Sequence, residues 1–321
     1  MYPPLQLLFL LFSAQSPRPL AFVTNELART VSVIDRRTAR VVSTIPMPGR
    51  PRGIAVAPGG RTIFVALSDT LRQTAGPMDA IVAIDVARHA IIDRLPAGTD
   101  PEQFAISPDG RWIVASNEDA GLASAIDLRA RRVSARLVVG IEPEGVAISP
   151  NGRWAYVTSE TSNTVTVIDM NDRRVIANFL VDARPRAAVF SADSRTAYVS
   201  AEIGKTLTIV NVESHAPVAT VALTDSGSKP VGVALSPDGR LAYVATGRGN
   251  TVAVVDLAAR RVVASIPVGR RPWGIAITRD GRTLYTANGL SGDVSVIDAA
   301  KREVIATIPA GAGAWGVALT P

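Results

Sequence analysis

The chain has 321 residues, 47% of them hydrophobic, a mean hydropathy of +0.22 and a formal charge of +6. It has no cysteine and two histidines, which excludes a disulfide scaffold, a thiol nucleophile, a Cys-bound zinc and a c-type haem attachment site. Apolar content is mostly Val, Ile, Ala and Leu, and Val and Ile favour strands.

The first twenty residues differ from the rest. Leu5 to Phe12 is an apolar run too short to span a bilayer. It reads as the apolar segment of a secretory signal, although no Lys or Arg precedes it and the small-residue site around Ser13, Ala14 and Ser16 is ambiguous. A plain N-terminal tail is the other reading. The expected layout is a signal peptide over 1–20 and one domain over 21–321, in a periplasmic or secreted protein. Freedom from stray thiols fits export.

From residue 21 the chain repeats. Val/Ile-rich runs end in Asp35, Asp85, Asp127, Asp169, Asn211, Asp256 and Asp298, spaced 50, 42, 42, 42, 45 and 42 residues apart. The longer spacings reflect insertions around 68–79 and 224–228. Pro51, Pro101, Pro143, Pro185, Pro230 and Pro272 keep the same register, with Ala314 in the seventh copy. Turns such as SPDG (107–110 and 236–239) and SPNG (149–152) lie between apolar runs, as hairpins require, with weaker copies APGG, SADS and TRDG.

Each repeat therefore predicts four strands. Strand A is a PxGIAVS-like run, B follows the DG turn, C is a TVTVID-like run, and D is an RVVASIPVG-like run. Four short strands in about 42 residues is propeller-blade spacing. The chain ends in a lone strand A and begins, after the leader, with B, C and D. The expected fold is all-β: a seven-bladed β-propeller of four antiparallel strands per blade, closed by N-terminal strands B–D pairing with C-terminal strand A.

This topology sorts the charges onto two faces. On the face that carries the D-to-A and B-to-C loops, the residue after each rim proline runs Arg52, Glu102, Glu144, Arg186, Val231, Trp273 and, after Ala314, Trp315. Arg50, Asp100, Glu142 and Arg184 precede the prolines, and the B-to-C loops add Glu118, Asp119, Glu160 and Glu202. An acidic arc flanked by Arg pairs should thus face two tryptophans across the channel mouth. Binding residues commonly sit on loops of a rigid scaffold. Pairing of the charges between blades, with the tryptophans plugging the channel, is the competing account. A carboxylate arc could also hold a hard divalent cation such as Ca²⁺, although no EF-hand spacing is present. The opposite face is arginine-rich, which reads either as solvated turns or as a surface for anionic membrane or an acidic partner.

AFVTNE (21–26), YVTSE (156–160), YVSAE (198–202) and YTANG (285–289) resemble the YVTN-repeat propellers, over essentially all of 21–320. RPRGIA (50–55), DPEQFAISPDG (100–110), EPEGVAISP (142–150), VDARPR (181–186) and NGLSGDVSVID (288–298) are most similar to one subgroup. Its members are periplasmic propellers encoded beside pyrroloquinoline-quinone-dependent alcohol catabolism, with repeats of the quinoprotein amine dehydrogenase β-chain style. The resemblance implies the fold and a neighbourhood rather than an activity.

His89 and His215 fall in C-to-D turns three blades apart, where solvated turn residues are expected. No Ser-His-Asp or Cys-His arrangement can then assemble on the loop-rich face. Haem-d nitrite reductases share the repeat style, but no histidine stands at that face to ligate iron. The expected function is non-catalytic binding of a small ligand or periplasmic protein at the loop-rich rim, by a monomer, without nucleic acid. The rivals are a metal-dependent lactonase or similar hydrolase, which a cation on the acidic arc would favour, and a structural surface-layer protein.

Overall fold

Strand C of each repeat ends in Asp because that carboxylate caps the following turn. Asp35 Oδ1 accepts from the N–H groups of Arg37 and Thr38, at 2.8 and 3.3 Å, and Asp85, Asp127 and Asp298 make equivalent pairs. Asn211 substitutes for the Asp, its Oδ1 accepting from Ser214 N at 2.9 Å. The DG turns work similarly: Asp109 accepts from Arg111 N, Ser107 Oγ accepts from Trp112 N, and Gly110 takes φ +69°. The SADS copy keeps this geometry because Ser194 adopts φ +61°.

These turns fold the described residues into 28 strands in seven four-stranded antiparallel sheets. The structure is a computed structural model that describes residues 18–69 and 76–321. Blade 1 occupies residues 50–95, blade 2 101–138, blade 3 143–180, blade 4 185–222, blade 5 233–267 and blade 6 272–309. Blade 7 joins the C-terminal strand Ala314–Leu319 to β1 (Leu20–Asn25), β2 (Thr30–Asp35) and β3 (Arg40–Pro46), in that order. The expected all-β propeller and its closure are both found. Most of the expected leader lies outside the described residues; Leu20, placed at its end, is the first residue of β1 and donates to Thr320 Oγ1 at 2.8 Å. Among the described residues, no helix is long and apolar enough to cross a membrane.

The core lies between blades. Strands B and C are buried along nearly their whole length, whereas D alternates exposed and half-buried residues at the rim. The Asn of the YVTN-like runs ties B to C from within: Asn25 and Asn288 donate to Ser32 Oγ and Ser295 Oγ, each at 2.9 Å. The C–D pairing shifts register once in every blade, as between Val33 and Ile34 or Val167 and Ile168. Such bulges increase strand twist.

The inner strands approach closely where the PxG motif places glycine. A Cβ on Gly145 would lie 2.2 Å from the Arg186 carbonyl oxygen, and one on Gly232 would lie 2.4 Å from that of Trp273. Only glycine permits that approach, which sets the rim residue of one blade against the inner strand of the one before.

Candidate functional site at the channel mouth

Four of the six residues before the rim prolines adopt left-handed backbone: Asp100 φ +41°, Glu142 +55°, Arg184 +62° and Arg271 +57°. This conformation is uncommon for such side chains. Their carbonyls accept from the B-to-C loop of the same blade: Glu118 N to Asp100 O at 3.2 Å, Glu160 N to Glu142 O at 2.9 Å, and Glu202 N to Arg184 O at 2.8 Å. Each acidic loop residue is thereby fixed beside the rim residue of its own blade.

Two ion-pair clusters result. In the first, Glu26 pairs with Arg50 at 3.2 Å and with Arg52 at 3.0 Å. Arg52 also contacts Glu102 and lies 3.8 Å from Glu118, while Arg50 lies 3.6 Å from Asp100. In the second, Arg186 pairs with Glu202 at 2.7 Å and Glu144 at 3.4 Å, and contacts Glu160. Arg184 pairs with Glu160 at 2.7 Å and Glu202 at 3.2 Å. The ion pairing between neighbouring blades weighed from the sequence is thus present, and most of the paired side chains are buried or half-buried.

Trp273 and Trp315 meet as expected, with ring centroids 6.0 Å apart and planes 21° from parallel. The guanidinium of Arg186 lies 5.2 Å from the Trp273 ring centroid, and that of Arg271 lies 4.8 Å from it. Arg186 thus joins the second acidic cluster to the tryptophan pair. Glu144, Arg186, Trp273 and Trp315 share the lining of a cavity of about 40 Å³, room for a few waters. Beneath it, the inner strands line a further cavity of about 180 Å³.

All nine residues singled out from the sequence stand at this mouth: Arg52, Glu102, Glu118, Glu144, Glu160, Arg186, Glu202, Trp273 and Trp315. Glu26 and Arg271 were not. Glu26 was legible as the copy of Glu160 and Glu202 at the end of a YVTN-like run, and Arg271 as the residue before a rim proline. The histidines need a correction. They are half-buried rather than solvated, because each imidazole packs on the preceding blade: His89 edge-on to Phe22 at 6.2 Å, and His215 on Trp154 at 4.8 Å, with Nδ1 2.8 Å from the Tyr156 hydroxyl. Burial lowers the His215 pKa.

Burial also governs the carboxyls. Burial pushes Glu160 up to about 8, the negative charge of Glu144 adds to this, and Arg186 and Arg184 oppose it. Burial raises Glu144 as well, against Arg186 and Arg52. Three carboxylates around two guanidinium groups leave one surplus negative charge, which favours the protonated form of a buried carboxyl. With a folded pKa above the unfolded value of 4.5, the Glu160 contribution to stability is complete below that value and is lost as pH rises through about 8. Tm should accordingly fall between about pH 4.5 and about pH 8 and level off above it, and Glu160→Gln should flatten that slope. Thermal melts across pH test this; an unchanged slope in the variant would contradict it.

Fold and site together define a closed seven-bladed propeller whose rim carries buried ion pairs beside a tryptophan stack. The profile of the cytochrome D1 heme domain matches residues 77–231 and 205–315. The chain belongs to that family. Among solved structures it is similar to the hydrazine synthase of Kuenenia stuttgartiensis, with 23% identity and a TM-score of 0.76 over 86% of this chain and 91% of that one. It is also similar to dihydro-heme d1 dehydrogenase in complex with its ligand, with 15% identity and a TM-score of 0.69 over 94% and 75%. A curated relative, antigen Lp49 of Leptospira interrogans, is 24% identical over 102 residues; the match spans about a fifth of that protein, 22% of its length.

The family implies a haem. Among the described residues, no histidine, cysteine or tyrosine lines the cavity under the tryptophans, and these are the commonest side chains that hold haem iron. Its volume of about 40 Å³ is far below the roughly 300–1,000 Å³ of ligand pockets. Both histidines are committed to aromatic contacts in C-to-D turns. The residues at the channel mouth therefore do not fit a haem.

Proposed function

We propose that this is a non-catalytic, exported propeller that binds a ligand or a partner's loop across its loop-rich rim, of the YVTN-repeat type associated with pyrroloquinoline-quinone-dependent alcohol oxidation. The observation that carries this reading is Arg186, which holds three carboxylates while lying over Trp273 in the tryptophan stack. Aromatic faces offer stacking area, and carboxylates orient a cationic or polar group. The enclosed space is too small for most ligands, which supports recognition across the face of the mouth, outside the cavity. The rim also diverges between blades while the turns of the opposite face repeat the same Asp-capped geometry. Export is supported by the apolar segment at Leu5–Phe12 and the lack of cysteine.

The test is tryptophan fluorescence across quinones, alcohols, aldehydes and periplasmic proteins. Saturable quenching is expected, with loss of binding in the Trp273→Ala/Trp315→Ala double variant. A variant that binds normally but melts at a lower temperature would show that the tryptophans only plug the channel. One observation favours a hydrolase, the convergence of Asp100, Glu102 and Glu118. Cation-dependent turnover of a lactone panel would replace the binding reading with that one.

A further inference from the structure

The first acidic cluster differs from the second in its charge balance. Glu26, Asp100, Glu102 and Glu118 surround Arg50 and Arg52, leaving two surplus negative charges. Glu102 is 0% exposed. Its Oε1 contacts Arg52, its one cationic partner among the described residues, while its Oε2 receives no hydrogen bond. Asp100 Oδ1, likewise buried, receives none. A buried acceptor without a donor costs about 1–3 kcal/mol, more when charged. Carboxylate oxygens of Asp100, Glu102 and Glu118 lie within 4.8 Å of one another. A Ca²⁺ ion takes oxygens at about 2.3–2.6 Å, so its shell spans such a separation. Mg²⁺ requires about 2.0–2.1 Å and near-ideal octahedral geometry.

We propose that Asp100, Glu102 and Glu118 form a divalent-cation site, selective for Ca²⁺, at the junction of blades 1 and 2. Two positive charges balance the cluster, and the ion supplies the partner that Glu102 Oε2 lacks. Glu118, on its half-buried loop, closes the site toward solvent, from which waters complete the shell. The site lies on the acidic side of the mouth and stands independently of rim recognition at the tryptophans.

Calcium titration of the full chain after chelator treatment, followed calorimetrically near neutral pH, should show one saturable site. Tm should rise with Ca²⁺ and much less with Mg²⁺, since a ligand of the folded state stabilises it. Glu102→Gln should abolish the binding. Glu118→Gln changes a half-buried loop residue and keeps the fold testable; it should weaken Ca²⁺ by about tenfold or more through loss of ligand charge. The Trp273→Ala/Trp315→Ala variant should bind Ca²⁺ unchanged. No saturable calcium heat with an unmoved Tm overturns the proposal, as does unchanged affinity in Glu118→Gln.

Discussion

Replacing Arg186 with leucine is expected to destabilise the protein by about 3–5 kcal/mol, the usual cost of removing one partner from a buried charge cluster. The guanidinium is 9% exposed and serves Glu144, Glu160 and Glu202 at once. Without it, one arginine, Arg184, remains for three carboxylates, and Trp273 loses a cation from its face. In a chain of this size the change corresponds to a fall in Tm of about 5–8 °C. The loss should shrink at acidic pH, where the carboxyls take up protons. Arg184→Leu is the control: that side chain is 43% exposed, and exposed pairs are worth about 0–1 kcal/mol. Denaturant melts of both variants decide the matter. Equal small losses would show that the cluster is effectively solvated.

The second large effect concerns ring closure. Deleting residues 20–46 removes β1, β2 and β3 and leaves strand Ala314–Leu319 unpaired. The same deletion removes the bonds that fasten the two ends of the chain together. Gly316 N donates to Thr24 Oγ1 at 2.8 Å, and Arg36 Nη1 donates to the Thr320 carbonyl at 2.7 Å. It also strips blades 1 and 6 of a neighbour, exposing apolar surface and unpaired edges of the kind that seed aggregation. The truncated chain should elute as aggregate and show no cooperative calorimetric transition. A soluble monomer beginning near Arg50 that melts cooperatively would sink the closure argument.

The fold was legible because each blade uses the same local chemistry. The Asp that ends strand C, the residue that turns left-handed in SPDG or SADS, and the Asn of YVTN-like runs all act within about ten residues of themselves, so the sequence repeats them visibly. The repeat in turn fixed the register of the rim, which is why nine residues spread over more than 260 positions could be assigned to one mouth. Local pattern also placed both histidines correctly in C-to-D turns, but not their packing. His89 meets Phe22, and His215 meets Tyr156, across a blade boundary that no local pattern encodes.

Sequence by itself determined the number of blades, the strand order within each, the face on which each charge emerges and the way the ends close. These follow from hydrophobic period, turn residues and repeat length, all of which act over short stretches of chain. Only the tertiary structure decided which charges pair, which carboxyls hold a proton and which are left without donors. Glu26 bonds Arg50 and Arg52 because closure brings blade 7 against blade 1. Arg186 crosses to Trp273 because the ring curves, and Glu102 is buried because the inner strands approach at glycine. Ionisation depends on desolvation and on charges within a few ångströms, and those distances exist only once the ring is closed.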